Sequence, residues 1–291
     1  MIRRVTVLLL TLAATAGLPL DAASPSFVWK ATSPAGRTLY LAGSVHLLSA
    51  DYYPLAPAFD EAFDASELLV EELDMAEMLA PASQMKMLQR GMLPAGQSLD
   101  RMLSPDTLKL VGATLESLGM PFEPLKQFKP WMLAVTMQSL AWQKAGFDAN
   151  LGLDKHFYDR ARQAGRPVQG LETMDYQLSK FDGLTAPVQE RMLAETAKEI
   201  GQTQETFTRM TQAWKSGDPA AVEKQIADDL RQEPEMYSRL LLDRNRNWLP
   251  KIEALFARPR PAFVVVGAAH LVGPEGLIAM LKAKGYTLTQ M

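Results

Sequence analysis

The sequence predicts an α/β (α+β) fold: a central mixed sheet with strands from both ends of the chain, around a large helical middle. Two matched stretches carry that expectation. The β-branched apolar run 262–266 stops at Gly267, His270 follows three residues later, and a helix-like run over 275–284 comes next. Near the start, the run 39–42 stops at Gly43 and His46 follows at the same spacing. A short apolar run bounded by glycine reads as a buried strand. Strands buried on both faces belong to sheets covered by helices. In open sheets of that kind, ligands bind beyond the carboxyl ends of the strands, and glycine lets the backbone turn there without steric cost. A single histidine in such a place more often caps a turn or packs in the core. Two matched copies in a chain of three histidines reverse that preference, so the two turns are read as two sides of one site.

In chain order, 27–32 and 38–42 read as strands joined by Ser33-Pro34-Ala35-Gly36-Arg37, a hairpin loop rich in turn residues. A short helix over 58–66 leads into a strand over 67–74 that ends in Glu71, Glu72 and Asp74. Alternation puts Glu72 and Asp74 on one side and Glu71 on the other. Crowded carboxylates are costly to desolvate unless a cation or protons compensate, although an acidic first turn of the next helix explains such residues equally well. Residues 75–146 read as helical, with breaks at Pro81, 91–96, 119–124 and Pro130. The many methionines there are ordinary core filler or an adaptable groove. Ser104 before Pro105 marks a helix start. Gly152-Leu153-Asp154 opens a helix to about Gln163, and His156 lies within it, better suited to a surface role. A strand over 168–171 closes on Glu172. Residues 174–257 are helical again, with Asp218 as one clear cap. Arg239, Asp243, Arg244, Asn245 and Arg246 cluster near Trp248, and such clusters are usually solvated faces. An edge strand over 286–289 completes the sheet.

Composition narrows the function. The chain has 291 residues, 47% hydrophobic and 22% charged, with a formal charge of −3 and mixed signs throughout. Nucleic acid is therefore a poor partner. Residues 1–23, with Arg3 and Arg4 before an apolar run and small residues after it, have the layout of a secretory signal peptide. The expectation is an exported protein, periplasmic or secreted, with one domain over 24–291, helical insertions at about 75–165 and 174–258, and no transmembrane span once the leader is removed. Cysteine is absent, which excludes thiol nucleophiles and cysteine metal sites, so any metal must be held by His, Asp and Glu.

With those residues in hand, the chain resembles the TraB/PrgY/GumN family, which includes the Tiki metalloproteases. The resemblance rests on Gly43-Ser44-Val45-His46, Glu72-Leu73-Asp74, Gly152-Leu153-Asp154, Leu171-Glu172-Thr173 with Gln177, Arg244-Asn245 with Trp248, and Gly267-Ala268-Ala269-His270. It implies a site of two GxxH turns and glutamates, associated in Tiki-like members with metal-dependent peptide hydrolysis by manganese or cobalt. His46, Glu72 and His270 match the core motifs, and Glu172 and Arg244 the supporting ones. Related GxxH–glutamate enzymes activate water through a histidine without an obvious tight metal.

The expected activity is a hydrolase of peptide, amide or ester bonds acting on a peptide or small molecule. Its catalytic residues are His46, Glu72, Glu172, His270 and Arg244, and a divalent cation (Mn, Co or Zn) is held by His46, His270 and a carboxylate, Glu72 or else Glu172, with the remaining glutamate accepting the proton of the bound water. Arg244 is assigned to a developing oxyanion or a substrate carboxylate and Asp154 to orienting a ligand. Gly43, Gly267, Glu71, Asp74 and Asn245 support the site. Two other classes stay open: a metal-free hydrolase with His46 as general base and Glu72 orienting it, and a non-catalytic exported binding protein that captures a peptide, signal or haem-like ligand in a methionine-lined groove.

Overall fold

The computed structural model describes residues 25–291, so the expected leader lies outside the described residues. Six strands form one mixed sheet: β1 (Val28–Thr32), β2 (Thr38–Ser44), β3 (Leu68–Glu71), β4 (Val168–Gly170), β5 (Ala262–Gly267) and β6 (Thr287–Gln290), in the order β4-β3-β5-β2-β1-β6. The first two make the expected hairpin, with Gly36 at φ 77° in its loop. β6 is the expected edge strand, antiparallel to β1. The four strands β4, β3, β5 and β2 run parallel to their neighbours, so their carboxyl ends share one edge. That edge receives residues from four distant parts of the chain.

β5 reads Ala-Phe-Val-Val-Val-Gly and is buried at every position, so both faces of the sheet are covered, as a continuous β-branched run requires. Phe263 meets Phe157 at 4.9 Å and Phe63 at 6.2 Å between ring centroids. Those rings come from the helices Leu153–Gln163 and Pro57–Asp64. The helical middle builds a second cluster of its own, around Leu99, Val111, Leu115, Leu133, Met137 and Leu193. Its helices break where proline and glycine predict: Met75–Leu79, Pro81–Gly91, Pro105–Ser117 and Pro130–Lys144. The hydroxyl of Ser104 accepts from the Thr107 amide and the carboxylate of Asp218 from the Ala220 amide, both as expected for N-caps.

Two local expectations differ. The third strand stops at Glu71 rather than running to Asp74, because Asp74 caps the next helix by accepting from the Ala76 amide at 2.9 Å. Gly267 is the last residue of β5, as expected, whereas Gly43 does not end β2, which runs on to Ser44. Gly43 pairs with Val266, and Gly267 with Ser44, and neither is among the glycines with positive φ. Space is what they provide: a Cβ on Gly43 would press into the Phe27 ring and come within 3.1 Å of the Ala268 Cα.

Candidate active site

The carboxyl ends of the four parallel strands deliver His46 after β2, Glu72 after β3, Glu172 after β4 and His270 after β5. Backbone pairing continues past the named strands, with the Glu172 amide donating to the Glu72 carbonyl at 2.9 Å. The residues expected to form one site therefore converge on one edge.

Arg244 is at their centre. It is on the helix Asp243–Leu255, directly after a π-helical stretch Ser238–Leu242, a local irregularity often found at functional sites. Arg244, Asn245, Trp248, Ile252 and Leu255 form the buried stripe of that helix, while Arg246 points outward. The cluster expected to be a solvated face is thus split, and Arg244 and Asn245 turn inward.

Arg244 meets both carboxylates and the imidazole. Nε donates to Glu172 at 3.0 Å and Nη2 to Glu72 at 2.5 Å, with Glu172 Oε1 in ionic contact 2.8 Å from Nη2. Nη1 donates to the Leu240 carbonyl at 3.2 Å and to His270 Nε2 at 3.1 Å. The guanidinium thus ties Glu72, Glu172 and His270 together. The indole of Trp248 gives Glu172 a further bond at 2.8 Å.

These contacts fix the protonation states. Burial would raise the Glu72 pKa, but Arg244 and the Gly267 amide, which donates to Oε1 at 2.7 Å, hold it well below the usual carboxylate range. Burial and the neighbouring guanidinium push His270 down to about 3. His270 is neutral, with its Nδ1–H donated to Asn245 Oδ1 at 2.7 Å and its Nε2 lone pair facing Arg244. The Asn245 amide donates in turn to the carbonyls of His270 and Glu275, which sets its orientation.

His46 is different. Its Nδ1 donates to Asp154 Oδ2 at 2.8 Å, and the Asp154 carboxylate raises its pKa to about 9. Ser44 Oγ donates to the other Asp154 oxygen at 3.0 Å. The His46 side chain is 57% exposed against 13% for Asp154, so the imidazole stands at the mouth with Nε2 unclaimed. His156 lies apart, beside Tyr53 at 5.1 Å.

Glu71 faces a cavity of about 300 Å³ together with His46, Asp154, Gln177, Met75 and Met78. The residue is 2% exposed, and neither carboxyl oxygen makes a well-aligned hydrogen bond. Burial, with Asp154 and Asp74 nearby, pushes its pKa up to about 9. Asp74 itself is taken up in the helix cap.

The expected cation shell was His46, His270 and Glu72. His46 Nε2 and Glu72 Oε1 do approach one place: they lie 3.4 Å and 3.2 Å from where a Cβ on Gly267 would stand. His270 Nε2 is engaged by Arg244 instead. In this arrangement the three residues do not fit a three-ligand shell, and among the described residues no group of three or more ligating side chains is placed to hold an ion.

Sequence reasoning missed three contributors. Ser44 steadies Asp154, Trp214 donates to the Gly43 carbonyl at 2.8 Å, and Lys155 lines the cavity. Only Ser44, inside the GxxH turn, carried a signal.

Residues 27–290 match the model of the TraB/PrgY/gumN family. The chain belongs to that family. Among TraB/PrgY/gumN relatives it is 25% identical over 260 residues to "Uncharacterized protein YbaP" of Escherichia coli (strain K12), covering 88% of this chain and 93% of that one. The YbaP of Shigella flexneri is equally similar over the same shares. No solved structure matches the chain. No helix among the described residues is long and apolar enough to cross a membrane.

Proposed function

We propose that this TraB/PrgY/gumN chain is a hydrolase of peptide-like amide or ester bonds in which His46 acts as general base. The observation that carries the reading is the His46–Asp154 pair at the cavity mouth, 2.8 Å apart, beside Glu72, Arg244 and His270, which are locked to one another. Asp154 accepts from Nδ1, which fixes the tautomer and leaves the Nε2 lone pair for the proton of an attacking water. Glu72 is too acidic for that task and His270 Nε2 is occupied. Glu72, Glu172, Arg244 and His270 form the rigid floor that holds the strand ends in register.

A screen of blocked apolar peptide p-nitroanilides and p-nitrophenyl esters tests this. Turnover that survives dialysis against EDTA and is lost in His46→Ala supports the reading, whereas binding without turnover would make the chain an exported binding protein.

A second reading retains the divalent cation, because His46 Nε2 and Glu72 Oε1 converge beside Gly267. It requires the Arg244–His270 hydrogen bond to open. One equivalent of manganese, cobalt or zinc in the purified protein, absent from His46→Ala plus His270→Ala, would favour it. The N-terminal run of residues 1–23 supports action in the periplasm or outside the cell, which fractionation of the full chain tests.

A further inference from the structure

His46 lines a second cavity as well. It measures about 190 Å³ and is walled by Trp142, Phe207, Met210 and Ala268. The two cavities share His46 and Leu47 and no other lining residue, so they adjoin at these two residues. Their chemistry differs. The smaller one is almost wholly apolar, and apolar cavities of roughly 150 Å³ already accept a benzene ring. The larger one has a methionine wall, from Met75 and Met78, and the buried carboxyl of Glu71, which makes no well-aligned hydrogen bond and has only the Met75 amide close by. A buried polar group without a well-made hydrogen bond is rare in proteins and calls for an explanation. A carboxyl oxygen accepts a hydrogen bond whether or not the group is ionised, so a donor arriving with a ligand would satisfy it.

We propose that His46 stands between two subsites for one extended, apolar, peptide-like ligand. A large aliphatic or aromatic side chain fills the Trp142–Phe207–Met210 cavity, and on the other side a backbone N–H meets the Glu71 carboxyl beside Met75 and Met78. The proposal rests on the hydrolase reading for what happens next, since the bond between the two subsites is the one that faces His46 Nε2. The binding geometry can be tested without turnover. Methionine is a fitting wall residue, because its flexible thioether adapts to varied side chains, and here it also supplies the reporters.

The experiment uses the protein with ¹³C-methyl methionine and two probes, N-acetyl-Phe-Leu-Leu-amide and N-acetyl-Phe-amide. The longer probe is expected to shift the Met210, Met75 and Met78 methyl signals along one saturation curve, and the shorter probe to shift Met210 alone. Met210→Trp, which fills the small cavity, is expected to weaken the longer probe at least tenfold while the Met75 and Met78 signals stay at their free positions. Glu71→Leu is expected to weaken the longer probe similarly and to leave the shorter one unchanged. With the longer probe, two sets of methyls saturating at different concentrations or shifts confined to one side would overturn the proposal, as would no shift with either probe. Joint saturation without hydrolysis would leave the two subsites standing and defeat the hydrolase reading.

Discussion

Asp154 holds His46 through one carboxylate oxygen, 2.8 Å from the imidazole Nδ1, while Ser44 occupies the other oxygen. That pair faces the open cavity with an exposed imidazole. Asp154→Asn is expected to bring the His46 pKa from about 9 down towards about 6.5, its unperturbed value, and to cut turnover by roughly a hundredfold or more. An NMR titration of a chain with three histidines reads the first effect directly. The sign for stability also follows. The pair's contribution is full below about 6.5 and is lost as pH rises through about 9, and it is small because the imidazole is solvent-exposed.

Activity is expected to rise with pH up to about 9 and then level off, because the base form of His46 must be deprotonated. A profile that falls across that range would assign His46 as an acid instead.

Removing Arg244 leaves Glu72 and Glu172 buried without their cation. Arg244→Ala is expected to cost about 3–5 kcal/mol of stability, measured by urea unfolding. Arg244→Lys is expected to recover little of that, since an ammonium cannot reproduce the forked contacts to two carboxylates and a histidine.

Glu71 predicts the opposite effect. Its carboxyl keeps its proton in the folded chain up to about 9, whereas the unfolded chain releases it near 4.3. The folded state binds more protons between those values, so stability falls as pH rises through that window. Glu71→Gln removes the penalty and is expected to raise the Tm by several degrees at pH 8.5 and hardly at all at pH 4. An equal rise at both values would show that packing, not ionisation, is responsible.

The two glycines separate fold from site. A methyl on Gly43 would strike the Phe27 ring in the core, so Gly43→Ala is expected to cost about 1–3 kcal/mol. A methyl on Gly267 meets Glu72 Oε1 at 3.2 Å and His46 Nε2 at 3.4 Å. Gly267→Ala is therefore expected to reduce turnover at least tenfold with little change in unfolding midpoint.

Much of this was legible in the sequence because local signals and topology agreed. The runs ending in Gly43 and Gly267 are parallel neighbours as expected, and the helix breaks follow proline and glycine. His46, Glu72, Glu172 and His270 were each marked by position at a strand end. What could not be read was direction. Arg244 and Arg246 look alike in sequence, and only the buried stripe through Trp248 decides that one turns inward. Likewise Glu71 and Glu72 are adjacent carboxylates, yet Glu72 meets a guanidinium and Glu71 meets no charged partner. Such differences depend on partners distant in the chain, and no local pattern carries them.

The most direct test of the central claim is hydrolysis of a blocked apolar peptide p-nitroanilide by wild type and His46→Ala, in EDTA, with unfolding midpoints measured alongside. The expected result is turnover in the wild type, a loss of at least a hundredfold in His46→Ala, and matching midpoints. Equal turnover in the two proteins at matching stability would contradict the role given to His46.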